Sequence, residues 1–183
     1  MIYHLSLKAV AFGTGFIHLL LGAIAFLYPS SFCRFLKNFP RNDFLGKVLM
    51  GTSVLWVIIL LATMDLGEYT QYRIWFILFA FVFGTLVIVA IEDFISLRAL
   101  ALLLLLGANV ILDGTFLSMR SWRILLVLLA YGWIIVGVLF VGMPFLARDK
   151  IMYFCSSERK IKLTALFTLI FGLILSLLGF IDA

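Results

Sequence analysis

Six runs of apolar residues, at about 10–27, 45–64, 74–91, 94–112, 124–145 and 163–181, occupy most of the 183-residue chain. Each is near the ~20 residues that an α-helix needs to cross the hydrocarbon core of a bilayer. No water reaches the backbone there, so every N–H and C=O must be paired inside the protein, and a helix does this within one segment. The residue count agrees: 65% of the chain is hydrophobic and 13% is charged, against about 45–50% and about 25% in soluble domains. With a mean hydropathy of +1.23, the apolar excess is too large for a core of this size to bury. The expectation is an all-α polytopic integral membrane protein, a single transmembrane domain over 1–183. Its six helices form three hairpins, at about 10–64, 74–112 and 124–181.

Only Glu92 and Asp93 separate the third and fourth runs. One unbroken helix would be nearly twice as long as a bilayer is thick, so the two acids are assigned to a tight turn. Orientation follows from the basic residues, which concentrate on the cytoplasmic side of membrane proteins. Four of the 14 (Lys8, Arg73, Arg120 and Arg123) fall on one side. Arg34, Lys37, Arg41, Lys47, Arg98, Arg148, Lys150, Arg159, Lys160 and Lys162 fall on the other. This asymmetry predicts both termini outside and three turns inside, as in a bacterial inner membrane. The first run contains Ala23-Ile24-Ala25, which has the look of a leader cleavage site. Cleavage there would strand Arg34, Lys37, Arg41 and Lys47 outside, so the run is taken as a retained helix. The net charge of +5 is spread over short loops, which points to anionic lipid headgroups and away from nucleic acid.

In the loop after the first run, Phe32, Phe35, Leu36 and Phe39 recur at helical spacing opposite Arg34, Lys37 and Arg41. A short helix lying in the membrane interface is predicted near 31–39, stopped by Pro40. The loop after the fifth run has a similar mix, so Arg34, Lys37, Arg41, Lys150, Arg159 and Lys160 are the expected headgroup contacts. Gly22, Pro29, Phe39 and Lys47 recur as Gly137, Pro144, Phe154 and Lys162, each 115 residues later. The pattern suggests that the first and last hairpins repeat in the same orientation. The only cysteines, Cys33 and Cys155, belong to the two loops and match no zinc or redox spacing. They pair only if folding brings the loops together.

Three polar residues within the runs are the candidates for a functional role. His18 is on a stripe with Ala11, Gly15, Gly22 and Ala25, the pattern of a closely packed helix seam. An ionisable group at that depth is a functional candidate by default. The reading adopted is nevertheless a hydrogen bond that fastens two helices, which Asn or Gln would partly preserve. A haem would need a second axial ligand, and His4 lies roughly 20 Å further along the helix. Arg98 and Asn109 share a face of the fourth run. Arg98 is placed to snorkel outward or to pair with Glu92 or Asp93, and Asn109 to bond another helix. No phosphate loop, metal-ligand cluster or nucleophile motif is found, so neither a cofactor nor a catalytic centre is expected. The function expected is that of a structural or accessory membrane component, with a membrane-protein partner or a second copy. One alternative is a small transporter or channel with His18 and Asn109 near a polar path. The other is a redox subunit whose cofactor a partner chain completes.

Overall fold

The computed structural model describes residues 3, 5–90 and 94–181. Among them the only regular structure is helical, and six helices are long and apolar enough to cross a membrane. The first, α1 (Leu7–Leu27), begins where the Ser6 hydroxyl accepts from the Ala9 N–H at 3.3 Å. It ends at Tyr28 because Pro29 follows, and the residue before a proline is pushed out of the helical region. Pro29 then opens α2 (Pro29–Asn38), whose missing N–H costs nothing at a first helical position. The predicted interfacial helix is this element. A 3-10 turn at Phe39–Arg41 carries the chain into α3 (Asp43–Thr63), capped by the Asn42 side chain on the Leu45 N–H at 3.0 Å.

At the far end of α3, Arg73 donates to the carbonyls of Ala62 (2.6 Å) and Met64 (2.9 Å). These carbonyls have no partner within α3, and a cation there also complements the helix dipole. Arg73 itself begins α4 (Arg73–Ala90), and α5 (Ile95–Thr115) follows after Phe94, whose φ of 55° is left-handed. The turn assigned to Glu92 and Asp93 lies outside the described residues. The chain continues through α6 (Arg123–Gly142), α7 (Pro144–Phe154) and α8 (Glu158–Ile181). The fifth apolar run therefore breaks before Pro144, and α8 starts five residues ahead of the sixth apolar run, since Glu158 suits a helix N-terminus.

Element boundaries recur at the 115-residue offset. Pro29 opens α2 and Pro144 opens α7, each after a residue with nearly the same backbone angles (φ −126°, ψ 57° at Tyr28; φ −135°, ψ 67° at Met143). Asp43 and Glu158 likewise open α3 and α8. The most extensive packing, however, joins the two ends of the chain, α1 and α8. α1 lies along α8, α5 lies along α6 and α3, and α4 rests mainly on α3.

The α1–α8 seam is made of small residues. A methyl group on Gly22 would come within 3.1 Å of the Ala165 carbonyl oxygen, and one on Gly172 within 2.9 Å of the Gly15 carbonyl oxygen. Backbones this close gain dispersion contacts, which drive helix association in lipid, where apolar burial by itself does not. Around the seam, Val10, Ala11, Ala108, Ile111, Leu126, Ala130 and Leu175 form one buried cluster joining α1, α5, α6 and α8. At the α2/α7 end a second cluster, Phe39, Leu97 and Ala147, ties the 3-10 turn to α5 and α7.

Candidate functional site

His18 sits where α1, α6 and α8 meet, and it is partly buried. Its Nδ1 donates to the carbonyl of Thr14, one turn earlier, at 2.7 Å. Because a carbonyl only accepts, the Nδ1 carries a proton. The bond thus stays within α1, which corrects the expectation of a polar bond between helices. What the ring offers its neighbours is its π-face and edge. It stacks on Trp133 of α6 (centroids 6.0 Å apart, planes at 19°) and meets Phe171 of α8 edge-on at 5.5 Å. Trp133 in turn closes over Gly107 of α5, where a methyl would lie 2.8 Å from the indole ring. His18 is therefore part of an aromatic group that joins α1 to α6 and α8 and, through Trp133, rests against α5. Its other nitrogen, Nε2, has no hydrogen bond among the described residues.

Arg98 is partly buried one turn into α5, and its Nε is buried without a hydrogen-bond partner among the described residues. Its expected partners Glu92 and Asp93, like His4, lie outside the described residues. Asn109 is exposed on α5, six residues before the helix ends, and makes no hydrogen bond among the described residues. The expected bond to another helix is not made among the described residues, because the faces of α3, α6 and α1 that pack on α5 leave Asn109 on the outside.

Two polar arrangements were missed from sequence. At the end where the chain begins, residue 3 bridges α3 and α5. The Trp56 indole donates to the Tyr3 hydroxyl at 3.0 Å, and the Tyr3 N–H donates to Asp113 at 3.0 Å. Burial and the Asp113 charge hold the Tyr3 phenol above its ordinary pKa, against the lowering effect of the Trp56 bond. At the opposite end the Ser96 hydroxyl donates to the Asn42 carbonyl at 2.6 Å, locking the start of α5 to that of α3. A tyrosine at a chain end and a serine beside a turn carry no periodic signal, so neither was legible.

The α2/α7 end gathers most of the predicted headgroup residues. Arg34, Lys37, Arg41, Lys150 and Arg159 are exposed, while Lys160 is partly buried with its Nζ 3.9 Å above the Tyr153 ring. Folding also brings the two loops together. Cys33 of α2 and Cys155, just after α7, line one cavity of about 130 Å³ with Ser30 and Ser157. Burial and the adjacent Cys33 thiol push Cys155 up to about 12. Both thiols are free. Among the described residues no three of His, Cys, Asp and Glu converge as metal ligands would. No family model, curated protein or solved structure matches the chain.

Proposed function

We propose that the protein is an accessory membrane component, without a catalytic site of its own, that works by binding a transmembrane helix of another chain. Asn109 carries this reading. Its carboxamide has two donors and two acceptor lone pairs, it lies within an apolar span, and nothing in the described chain pairs with it. An amide in hydrocarbon without a partner is costly, and a neighbouring helix is the usual remedy. His18 supports the same reading from the other side. Its donor is committed to its own backbone and its ring is wedged between two aromatics, the arrangement of a packing residue. In this reading the α2/α7 end, with ten of the basic residues, faces the cytoplasm of a bacterial inner membrane, where anionic lipids hold it.

The test is the mass of the particle extracted gently from its native membrane. The wild type is expected to run as an assembly with a second helix-bearing chain, either another copy or a different protein. Asn109→Leu is expected to release a folded single chain with an unchanged melting temperature. A wild type that is monomeric in native nanodiscs, and an Asn109→Leu protein that behaves identically, would remove the accessory assignment.

A further inference from the structure

The basic residues at the α2/α7 end are not uniformly spread. Lys37 and Arg41 from the first loop and Arg148 from α7 converge on one cavity of about 510 Å³, together with Asp149 and the apolar walls of Pro40, Phe94 and Met152. The sequence makes this cavity in three steps. Pro40 stops α2, so the chain turns at Phe39–Arg41 and leaves Arg41 four residues beyond Lys37. Phe39 inserts among Leu97 and Ala147, which fixes the turn against α5 and α7. Ala147 faces that core, and the next two residues, Arg148 and Asp149, are left exposed at the cavity. The cavity is therefore held in place by buried packing, while its charges remain accessible.

Among the described residues, three cations and one carboxylate line it, an excess of two positive charges. Arg148 is bound to Asp149 through one carboxylate oxygen, with Nε at 3.0 Å and an end nitrogen at 2.9 Å. No carboxylate pairs with Lys37 or Arg41 among the described residues. Like charges gathered in one concavity favour a bound anion, and guanidinium pairs suit phosphate oxygens. The second carboxylate oxygen of Asp149 accepts no hydrogen bond among the described residues, and it would repel a bare phosphate but welcome a hydroxyl. Past Arg41 the chain enters α3 with Phe44 75% exposed and Val48 also exposed, apolar surface at the level where acyl chains begin.

We propose that this cavity is a binding site for one anionic glycerophospholipid with a hydroxyl-bearing headgroup, of the phosphatidylglycerol class. Lys37, Arg41 and Arg148 hold the phosphodiester, and Asp149 accepts from the headgroup hydroxyl. The site is independent of the Asn109 association. It differs from general attraction to a charged membrane, to which every basic residue at this end would contribute alike.

The experiment titrates delipidated protein in detergent with phosphatidylglycerol, phosphatidic acid or phosphatidylcholine and counts bound lipids by native mass spectrometry. One phosphatidylglycerol is expected to bind in preference to the other two. Replacing Lys37, Arg41 and Arg148 by Gln should weaken it by about tenfold or more, the scale of lost charge-assisted bonds. Replacing Arg34, Lys150 and Arg159 by Gln removes the same charge outside the cavity and should leave binding nearly unchanged. Asp149→Leu, which removes both the hydroxyl acceptor and the repulsion of a bare phosphate, should abolish the preference over phosphatidic acid. All these side chains are exposed, and an unchanged melting temperature in phosphatidylcholine checks that each variant is folded. Equal losses in the two triple variants, or displacement of the lipid by an equal concentration of soluble glycerol phosphate, would overturn the proposal.

Discussion

Gly172→Ala tests whether the α1–α8 seam depends on backbone contact. A methyl built on Gly172 lies 2.8 Å from the Leu19 nitrogen, 2.9 Å from the Gly15 carbonyl oxygen and 3.0 Å from the His18 Cβ. Comfortable separations are ~3.5–4.0 Å, and two of the three atoms are backbone, which cannot rotate away. The helices must therefore part, and α1 has no other neighbour of comparable extent. Such overpacking costs about 1–3 kcal/mol, partly offset by the roughly 1 kcal/mol by which Ala favours a helix over Gly. Gly13→Ala, in α1, isolates the second effect, since a methyl there meets no side chain and no neighbouring helix within 4 Å. The helix-propensity gain is common to both variants and cancels in their difference. Gly172→Ala should therefore fall below Gly13→Ala by about 1–3 kcal/mol, or at least ~2 °C in melting temperature for a chain of this size. Thermal unfolding in one detergent, followed by tryptophan fluorescence, measures this. A Gly172→Ala protein that melts at or above Gly13→Ala would refute the close-contact seam.

For His18, the aromatic stack predicts that His18→Phe retains most of the stability while His18→Ala loses about 1–3 kcal/mol, the scale of a lost ring and its void. His18→Gln should resemble the alanine variant in the same melting assay, whereas full rescue by Gln would restore the interhelical hydrogen bond. Mild oxidation with a small-molecule disulfide should join Cys33 to Cys155 within one chain, read as a mass two hydrogens lighter after trypsin mapping, and failure to cross-link would contradict the α2–α7 juxtaposition. With its pKa pushed up to about 12, Cys155 should alkylate slowly until pH rises well past the ordinary thiol value. Unfolded chain ionises near ~8.5, so this thiol's contribution to stability is present below that pH and declines above it; Cys33→Ser should move the alkylation profile to lower pH. In intact cells an impermeant thiol reagent should label neither cysteine until the membrane is breached, and labelling beforehand would reverse the proposed orientation.

The six spans were legible because apolar length alone sets them, and the α2 helix because Phe32, Phe35 and Arg34, Lys37 alternate at helical spacing. The stripe Ala11, Gly15, His18, Gly22, Ala25 announced a close-packed face, and Ala11, Gly15, Gly22 and Ala25 are buried on it. Its partner was not legible. In lipid, helices are apolar all round, so no polar face indicates which neighbour a seam belongs to, and α8 lies at the other end of the chain. The direction of the His18 bond was lost for a related reason: a backbone carbonyl one turn away is available at every helical position and leaves no trace in the residue pattern. The cysteine pair and the cavity of Lys37, Arg41 and Arg148 each join residues more than 100 positions apart, a juxtaposition that arises only when α2 meets α7.

The most direct test of the accessory role is a photo-crosslinking amino acid placed at position 109 and activated in native membranes. Position 79 on α4, where Phe79 is 68% exposed to the outside, provides the lipid-facing comparison. A discrete protein–protein adduct from position 109, absent from position 79 and lost on dilution of the membrane with excess lipid, is the predicted result. Adducts to lipid alone at both positions would contradict the account, leaving Asn109 as an amide that the bilayer tolerates.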